Sequence, residues 1–241
     1  MHIVVFTGGD FTLPQDSLSF FDSFPKVDAV IAADSGADTL ECYRQFYGNK
    51  VDFFPDCILG DMDSISNRKL LEKYADKVQV FPKDKDFTDT ELALEKAFEL
   101  KKICNDKSII TLVGGAGGAA DHFLGIVDTF SSEKHSDFWL CGKQIFCFVK
   151  QDDVLYVSGL QLQDRVSIVR TTDTYEGGVI ETEGFEWESS MFRKKGMPSI
   201  SNRIASDHLK NNQPVRIGVK SGTFLVIAPV HVSLKKETLC L

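Results

Sequence analysis

Ile58-Leu59-Gly60-Asp61-Met62-Asp63-Ser64 is the stretch that decides the fold. Its apolar run is typical of a buried strand, and it stops at a glycine that two carboxylates follow at spacing i, i+2. A similar change occurs at Ala32-Ala33-Asp34-Ser35-Gly36, and another acidic cluster follows at Asp84-Lys85-Asp86-Phe87-Thr88-Asp89. Acids that follow three successive elements predict a single site, which holds a hard divalent cation against phosphate groups.

Composition and charge limit the classes of protein to consider. The chain has 241 residues, of which 43% are hydrophobic and 26% charged, and this suits one large or two small globular domains. The net charge is −8 and no basic run is longer than Arg193-Lys194-Lys195. These features argue against a nucleic-acid surface, because phosphate backbones bind to basic stripes. A nucleotide ligand is compatible with the charge, because a metal ion can offset it locally.

The chain lacks the features of export and of membrane insertion. No apolar run approaches the ~20 residues that span a bilayer. The apolar start at residues 1–6 has no basic n-region, so we interpret it as a first strand and not as a signal peptide. The six cysteines form no CxxC pair and are expected to be buried free thiols. We therefore expect a cytoplasmic protein that does not contact a membrane.

Strands and helices alternate through the first part of the chain. Strands are predicted at residues 3–6, 27–33, 56–59, 78–81, 109–113 and 138–140, with helices between most of them. Ser66 is predicted to cap one helix, and Thr88 with Glu91 fits a capping box at the start of another. This alternation predicts an α/β domain with a mostly parallel open sheet at residues 1–143. Ligands of such sheets bind beyond the carboxyl ends of the strands, where the acids lie.

Short segments rich in β-branched residues follow Cys141-Gly142. Examples are residues 145–149, 154–157 and 166–169. The segments at 215–219 and 224–227 are joined by Lys220-Ser221-Gly222-Thr223, which is typical of a hairpin. The pattern predicts an all-β, sandwich-like domain at residues 144–241.

Each polar motif also has a purely structural interpretation. Aspartates are common in turns, so Asp61 and Asp63 fit turn chemistry as well as metal binding. Asp34 either begins a helix or stands where a phosphate would bind the helix N-terminus. Thr88 and Asp89 fit helix capping, whereas Asp86 is not explained by it. The glycines at 114–118 form no P-loop, since no Gly-Lys-Ser/Thr follows, and they predict a backbone cradle for phosphate.

Taken together, these segments resemble the thiamine pyrophosphokinase family. The family's A-D-G-G-A, G-D-x-D-S, Q-D-x-T-D and G-G-R-x-D-H segments are similar, in this order, to Ala33-Asp34-Ser35-Gly36-Ala37, Gly60-Asp61-Met62-Asp63-Ser64, Lys85-Asp86-Phe87-Thr88-Asp89 and Gly117-Gly118-Ala119-Ala120-Asp121-His122. Its later G-L-K-W and T/S-S-N segments resemble Gly184-Phe185-Glu186-Trp187 and Ile200-Ser201-Asn202. Three residues depart from the family: Ser35 replaces a glycine, Lys85 a glutamine and Ala119 an arginine. The missing arginine would be a phosphate clamp, which leaves more of the phosphate binding to Lys83, Lys85, the glycine-loop amides or Mg²⁺.

The resemblance implies an activity and a set of substrates. The enzyme would transfer pyrophosphate from ATP, its co-substrate, to the hydroxyl of thiamine, giving thiamine diphosphate and AMP, with Mg²⁺ as cofactor. The first domain would be catalytic and bind nucleotide, and the second would bind thiamine. The family resemblance also implies a homodimer whose thiamine sites lie between subunits.

The resemblance also assigns roles to residues. It implies that Asp61, Asp63 and Asp89 are catalytic and that Asp61, Asp63, Asp86 and Asp89 bind metal. The residues implied to contact nucleotide or to complete the metal shell are Asp34, Gly36, Lys85, Asp86, Thr88, Gly117, Gly118, Asp121 and His122. Ser201 and Asn202 would line the thiamine pocket, and Trp187 or a nearby aromatic residue would offer a face to the cationic thiazolium. Which carboxylate accepts the alcohol proton stays open.

Two other functions fit parts of the pattern. A Mg²⁺-dependent phosphohydrolase is one, because Asp61-Met62-Asp63-Ser64 is similar to an aspartyl-phosphate motif, although that motif normally follows the first strand of its domain. A non-catalytic binder of thiamine or nucleotide is the other, in view of Ala119.

Overall fold

The computed structural model describes residues 1–24, 26–104, 108–171, 178–191 and 199–239. The chain divides into two compact units, Met1–Lys143 and Gln144–Leu241. Cys57, Cys141 and Cys147 are buried free thiols, whereas Cys42 is exposed, contrary to the prediction for the cysteines as a group. The side chain of Cys104, all of Cys240 and the basic run at residues 193–195 lie outside the described residues.

The first unit is an α/β domain with a parallel sheet. Its described strands are β1 (His2–Phe6), β2 (Ala29–Ala33), β3 (Cys57–Gly60), β4 (Val78–Val80), β5 (Ile109–Val113) and β6 (Phe138–Cys141). Its described α-helices are α1 (Leu18–Ser23), α2 (Gly36–Tyr47), α3 (Lys69–Lys73), α4 (Asp89–Cys104) and α5 (Ala120–Thr129). The strands lie in the order β6-β5-β1-β2-β3-β4, and each neighbouring pair is parallel.

The central strands are mostly apolar because helices cover both faces of a sheet of this kind. Every residue of β1 and β2 is buried. The chain passes from β1 outward to β4 and then returns to the other side of β1 with β5 and β6. The carboxyl ends of β1 and β5 therefore form the topological switch point, which is where open α/β sheets bind ligands.

The second unit is all-β apart from one short α-helix among its described residues. Its described strands are β7 (Gln144–Lys150), β8 (Asp153–Ser158), β9 (Val166–Arg170), β10 (Val179–Glu183), β11 (Ser199–Asn202), β12 (Val215–Ser221), β13 (Thr223–Pro229) and β14 (Ser233–Thr238). The helix is α6 (Ser206–Lys210). Within this unit the strands form two antiparallel sets, β11-β9-β13-β7 and β10-β12-β8-β14. The two units confirm the predicted fold class.

Two local predictions were wrong. The strands on either side of Gly222 do not form a hairpin, because β12 pairs with β10 and β8 while β13 pairs with β7 and β9. Ser66 does not cap α3, whose N-cap position is Arg68. The backbone N–H groups of Ser66 and Asn67 instead donate to the carboxylate of Asp38, at 2.7 and 3.0 Å.

None of the described helices combines the length and the apolar composition that crossing a bilayer requires.

Candidate active site

A pocket of about 610 Å³ lies at the carboxyl end of the parallel sheet in the first unit. It is lined by residues that follow four strands: Thr7 after β1, Asp34 after β2, Asp61 after β3 and Gly115 after β5. The pocket therefore straddles the switch point and brings together loops that are far apart in sequence. In volume it lies within the range of small-molecule sites.

Three carboxylates meet in this pocket. One oxygen from each of Asp34, Asp61 and Asp63 can be chosen so that all three lie within 4.8 Å of one another. Asp34 has a positive φ of 45° and is 8% exposed, and its N–H donates to the Leu59 carbonyl at 2.8 Å. That hydrogen bond ties the loop after β2 to β3, so neighbouring strands place the three acids side by side.

The loop after β3 is fixed by its own polar groups. The N–H of Asp63 donates to the Asp61 carboxylate at 3.1 Å, and the Arg68 guanidinium donates to the carbonyl of Met62 at 2.6 Å. Met62 lies between the two acids with a φ of 63°, and its side chain is 4% exposed. Because Met62 is buried, the acids on either side of it remain at the pocket.

Gly60 allows a fourth carboxylate, that of Asp89, to lie close to Asp34. A Cβ atom on Gly60 would lie 3.0 Å from Cγ of Asp89 and 3.1 Å from Cβ of Asp34, and its φ of +142° disfavours other residues. One buried oxygen of Asp34 and one of Asp89 have no hydrogen-bond partner. Burial is the main cause that raises the pKa of Asp34, hydrogen bonding from Ser64 opposes the rise, and the charge of Asp89 adds to it.

These groups fit a hard divalent cation. Carboxylate oxygens are the ligands that Mg²⁺ prefers, and it takes one or two of them together with water and substrate oxygens. Like charges at this separation repel one another, and a buried carboxylate oxygen without a hydrogen bond is costly. A cation bound between Asp34, Asp61 and Asp63 would remove both costs.

In the loop before α4, neither Lys85 nor Asp86 lines the pocket, but Lys85 contacts one of the lining aspartates. The Lys85 ammonium lies 3.1 Å from Oδ1 of Asp89 as an ion pair without hydrogen-bond geometry, and it donates to the Pro82 carbonyl at 3.1 Å. Asp86 is exposed and does not line the pocket, and it is not part of the three-carboxylate group. Asp89 lines the pocket beside that group.

Thr88 has two roles that the sequence presented as alternatives. Its hydroxyl accepts from the Glu91 N–H at 3.2 Å and its own N–H donates to the Glu91 carboxylate at 2.8 Å, which confirms the capping box. Thr88 also lines the pocket. Capping and pocket formation are therefore compatible, because the helix begins at the pocket wall.

The glycine loop after β5 and the start of α5 form the opposite wall. Gly117, Gly118, Asp121 and His122 all line the pocket, and Ala119 occupies the N-cap of α5 without a side-chain hydrogen bond. Asp121 accepts a hydrogen bond from the His122 N–H at 2.9 Å. This wall offers backbone N–H groups and a helix N-terminus, which favour anions.

Gly36 does not line the pocket, although it was predicted to contact nucleotide. A Cβ atom at Gly36 would lie 2.2 Å from the carbonyl oxygen of Phe6. The glycine is needed because the start of α2 packs directly on the end of β1.

The sequence analysis missed the loop after β1. Thr7, Gly8 and Gly9 line the pocket, and the Thr7 hydroxyl lies 2.6 Å from that of Thr90 on α4. The signal was present, since this turn follows a buried strand of the same sheet. The turn also holds an acid, Asp10, but this residue does not line the pocket.

In the second unit the side chain of Asn202 is buried and fully bonded. Its amide nitrogen donates to the Trp187 carbonyl at 2.8 Å and to Ser199 Oγ at 3.0 Å, and its oxygen accepts from the N–H groups of Trp187 and Arg203. Asn202 is 1% exposed, so in this structure it braces the chain and is not available to a ligand. Ser201 is exposed, with a φ of 56°.

Unlike the side chain of Asn202, the indole of Trp187 is accessible to a ligand. It is 49% exposed, and the Arg203 guanidinium carbon lies 5.4 Å from its ring centroid. Asn202 fixes the backbone of Trp187 on both its N–H and its carbonyl side.

Comparisons with known proteins agree on one family. Residues 22–141 match the family model described as the catalytic domain of thiamin pyrophosphokinase. A thiamine pyrophosphokinase of Bacillus subtilis is 44% identical over 68 residues, an alignment that covers 27% of this chain and 29% of that protein. The aligned part of the chain thus spans less than a third of this curated relative.

Solved structures share the fold along nearly the whole chain. A thiamin pyrophosphokinase family protein from Enterococcus faecalis superposes with a TM-score of 0.66 at 15% identity, covering 95% of this chain and 99% of that one. For thiamin pyrophosphokinase from Candida albicans the TM-score is 0.64 at 15% identity, with 95% and 88% covered. For the Bacillus subtilis enzyme it is 0.60 at 20% identity, with 95% and 99% covered. At these identities the superpositions support the fold of both units.

Proposed function

The chain belongs to the thiamin pyrophosphokinase family, and from this membership and the acidic pocket we propose that it transfers pyrophosphate from ATP to the hydroxyl of thiamine. The products are thiamine diphosphate and AMP. The observation that carries the proposal is the group formed by Asp34, Asp61 and Asp63, whose oxygens lie within 4.8 Å in a pocket that a glycine loop also lines.

The acidic side of the pocket would hold Mg²⁺. Asp34, Asp61 and Asp63 supply the converging oxygens, and Asp89 stands beside them with a buried oxygen that lacks a hydrogen bond. When bound, Mg²⁺ neutralises charge on the phosphate oxygens of ATP. Asp86 has no such place, since its carboxylate is exposed outside the pocket lining.

The glycine side of the pocket would hold the phosphates. Gly117 and Gly118 present backbone at the pocket, next to the N-terminus of α5, and Thr88 faces them from the start of α4. Two helix starts that meet one pocket favour an anionic ligand between them. Catalysis then consists mainly of orienting the attacking hydroxyl and the phosphate chain.

The second unit would bind thiamine. Trp187 offers an exposed indole face suited to a cationic ring, and Ser201 is exposed on the strand that also carries Asn202. Asn202 would act through Trp187, whose backbone it holds. The family resemblance further leads us to expect a homodimer, which light scattering coupled to size exclusion would test.

A single incubation tests the proposal. The protein is mixed with thiamine, ATP and MgCl₂, and the products are separated by chromatography. We expect AMP and thiamine diphosphate in equal amounts, with neither formed when thiamine or the metal is omitted.

The same incubation separates the alternatives. Phosphate release that does not depend on thiamine, with phospho-aspartate trapped at Asp61, would identify a phosphohydrolase. Binding of thiamine or ATP without any product would identify a non-catalytic binder. Absence of AMP with every divalent metal would refute the proposed transfer.

A further inference from the structure

The pocket has an unusual charge for a site that takes a polyphosphate. Five aspartates line it, and none of its lining residues, all of which lie in the described part of the chain, is a lysine or an arginine. The lining aspartates are Asp34, Asp61, Asp63, Asp89 and Asp121. A bound divalent cation offsets only part of this charge, so an anionic ligand needs further positive charge nearby.

Two lysines from one loop bring positive charge to the pocket, because each of them pairs with one of the lining aspartates. The Lys83 ammonium contacts Oδ2 of Asp63, and the Lys85 ammonium lies 3.1 Å from Oδ1 of Asp89. Both lysines lie in the loop between β4 and α4, on either side of Asp84. In this structure each lysine is therefore the counter-ion of one pocket carboxylate.

The two lysines differ in freedom. The side chain of Lys85 is 15% exposed, and it also donates to the Pro82 carbonyl, so it is held in place. The side chain of Lys83 is 75% exposed and makes its described contact only with Asp63. A lysine on a flexible stem at the surface can change partners without disturbing the fold.

Asp63 is held independently of Lys83. Its carboxylate accepts from the Ser64 hydroxyl at 2.8 Å, its carbonyl accepts from Arg68 at 3.3 Å, and its N–H donates to Asp61 at 3.1 Å. Release of Lys83 therefore leaves the carboxylate positioned for a cation.

We propose that Lys83 is a partner-exchanging lysine, which pairs with Asp63 in the empty site and moves to the phosphates of the nucleotide when a divalent cation takes Asp63. Lys83 would thereby compete with the free cation for Asp63 and strengthen binding of the cation–nucleotide complex. This inference rests on the proposed function for the identity of the ligand. The inference adds Lys83 as a residue that favours binding of the metal–nucleotide complex over binding of the metal alone.

The test measures two affinities on the full chain. Binding of Mn²⁺ alone is followed by electron paramagnetic resonance, and binding of α,β-methylene-ATP at saturating Mg²⁺ by calorimetry. Lys83→Met is expected to bind Mn²⁺ about twofold to fivefold more tightly, the range for loss of an exposed ion pair. The same variant is expected to bind the analogue about threefold to tenfold more weakly, because a charge-assisted contact is lost.

Two further variants serve as controls. Lys83→Arg should keep both affinities close to wild type, since it retains the charge and the reach. Lys26→Met removes a lysine that is also exposed and also pairs with an aspartate, Asp28 at 2.8 Å, but Asp28, unlike Asp63, does not line the pocket. It should change neither affinity.

The results separate this inference from the proposed function. Opposite shifts of the two affinities support partner exchange even if no AMP is formed. If AMP is formed but both affinities of Lys83→Met are unchanged, or shift in the same direction, partner exchange is refuted while the transfer reaction stands. A wild-type protein that binds neither probe refutes both.

Discussion

The free energy of unfolding should decrease in acid because of one buried histidine, His2. Its side chain lies on β1, contacts the rings of Phe20, Phe21 and Phe24, and has Nε2 2.9 Å from the Thr111 hydroxyl. Burial lowers its pKa from 6.5 to about 4, and the carboxylate of Asp28 opposes this only in part. Nδ1 is buried without a hydrogen-bond partner, so the folded protein has no acceptor for a second proton.

The sign of the effect follows from the two pKa values. Between pH 6.5 and pH 4 the unfolded chain takes up a proton at this residue and the folded chain does not, so acid favours unfolding. Above pH 6.5 both states are neutral at His2 and the contribution is constant. With these pKa values the linkage relation gives a loss of about 2 kcal/mol between pH 7.5 and pH 5, and about 3 kcal/mol in full well below pH 4.

The assay is urea unfolding at pH 7.5 and at pH 5, followed by circular dichroism. Wild type is compared with His2→Gln, which retains a donor toward Thr111, and with His231→Gln as a control at an exposed histidine. We expect wild type to lose about 2 kcal/mol more than His2→Gln between the two pH values. The reasoning is refuted if wild type and His2→Gln lose the same free energy of unfolding, because His2 would then titrate alike in both states.

Three further predictions concern the sites. Asp61→Asn should abolish formation of AMP while thiamine still binds and the circular dichroism spectrum is unchanged, and loss of the fold would instead support the turn interpretation. Gly60→Ala should cost about 1–3 kcal/mol of stability and also weaken Mn²⁺ binding, because its Cβ would press on two pocket acids. Gly48→Ala, also at positive φ but in open space, should cost stability alone, and equal metal affinities of the two variants would contradict the steric argument. Asn202→Ala should raise the KM for thiamine about tenfold, with little change in the KM for ATP, and alter acrylamide quenching of the exposed Trp187. Equal effects on the two KM values would count against a thiamine pocket at this place.

The fold class could be predicted because buried parallel strands have a strong local signature. The run at residues 109–113 is bounded by the same residues as β5, and the first strand differs from its prediction only by the inclusion of His2. Each is a short stretch of mostly apolar residues, interrupted only by Thr111 in β5, and its length and composition favour a buried strand. The parallel arrangement then placed Asp34 and Asp61 at one edge of the sheet.

The errors share a cause, since each depends on a partner that is distant in sequence. Ser66 looks like a helix cap until Asp38 binds its N–H group. The turn at Gly222 looks like a hairpin until the two strands find different neighbours. In both places tertiary pairing, and not the local turn residues, decided the outcome.

The sequence could identify the residues of the site more readily than what each one does. Asn202 belongs to a motif that suggests contact with a substrate, yet its amide is fully bonded to the chain. Gly36 belongs to another such motif, and the close approach of the Phe6 carbonyl accounts for it. A motif indicates which residues are required. Only the contacts of a residue in the structure show whether it can bind a ligand or supports the chain.

The register of β2 against β3 has a consequence for how the acidic cluster responds to heating. Ala33 pairs with Leu59 at the end of a hydrogen-bonded ladder whose strands lie about 4.8 Å apart. Asp34 is one residue beyond the end of this ladder on β2, and Asp61 is two residues beyond it on the β3 side. The spacing of the ladder therefore sets the distance between the Asp34 and Asp61 backbones, and the buried Met62 keeps Asp63 at the same pocket. Cation affinity should consequently change little as the protein is warmed, and it should disappear together with the sheet in one transition.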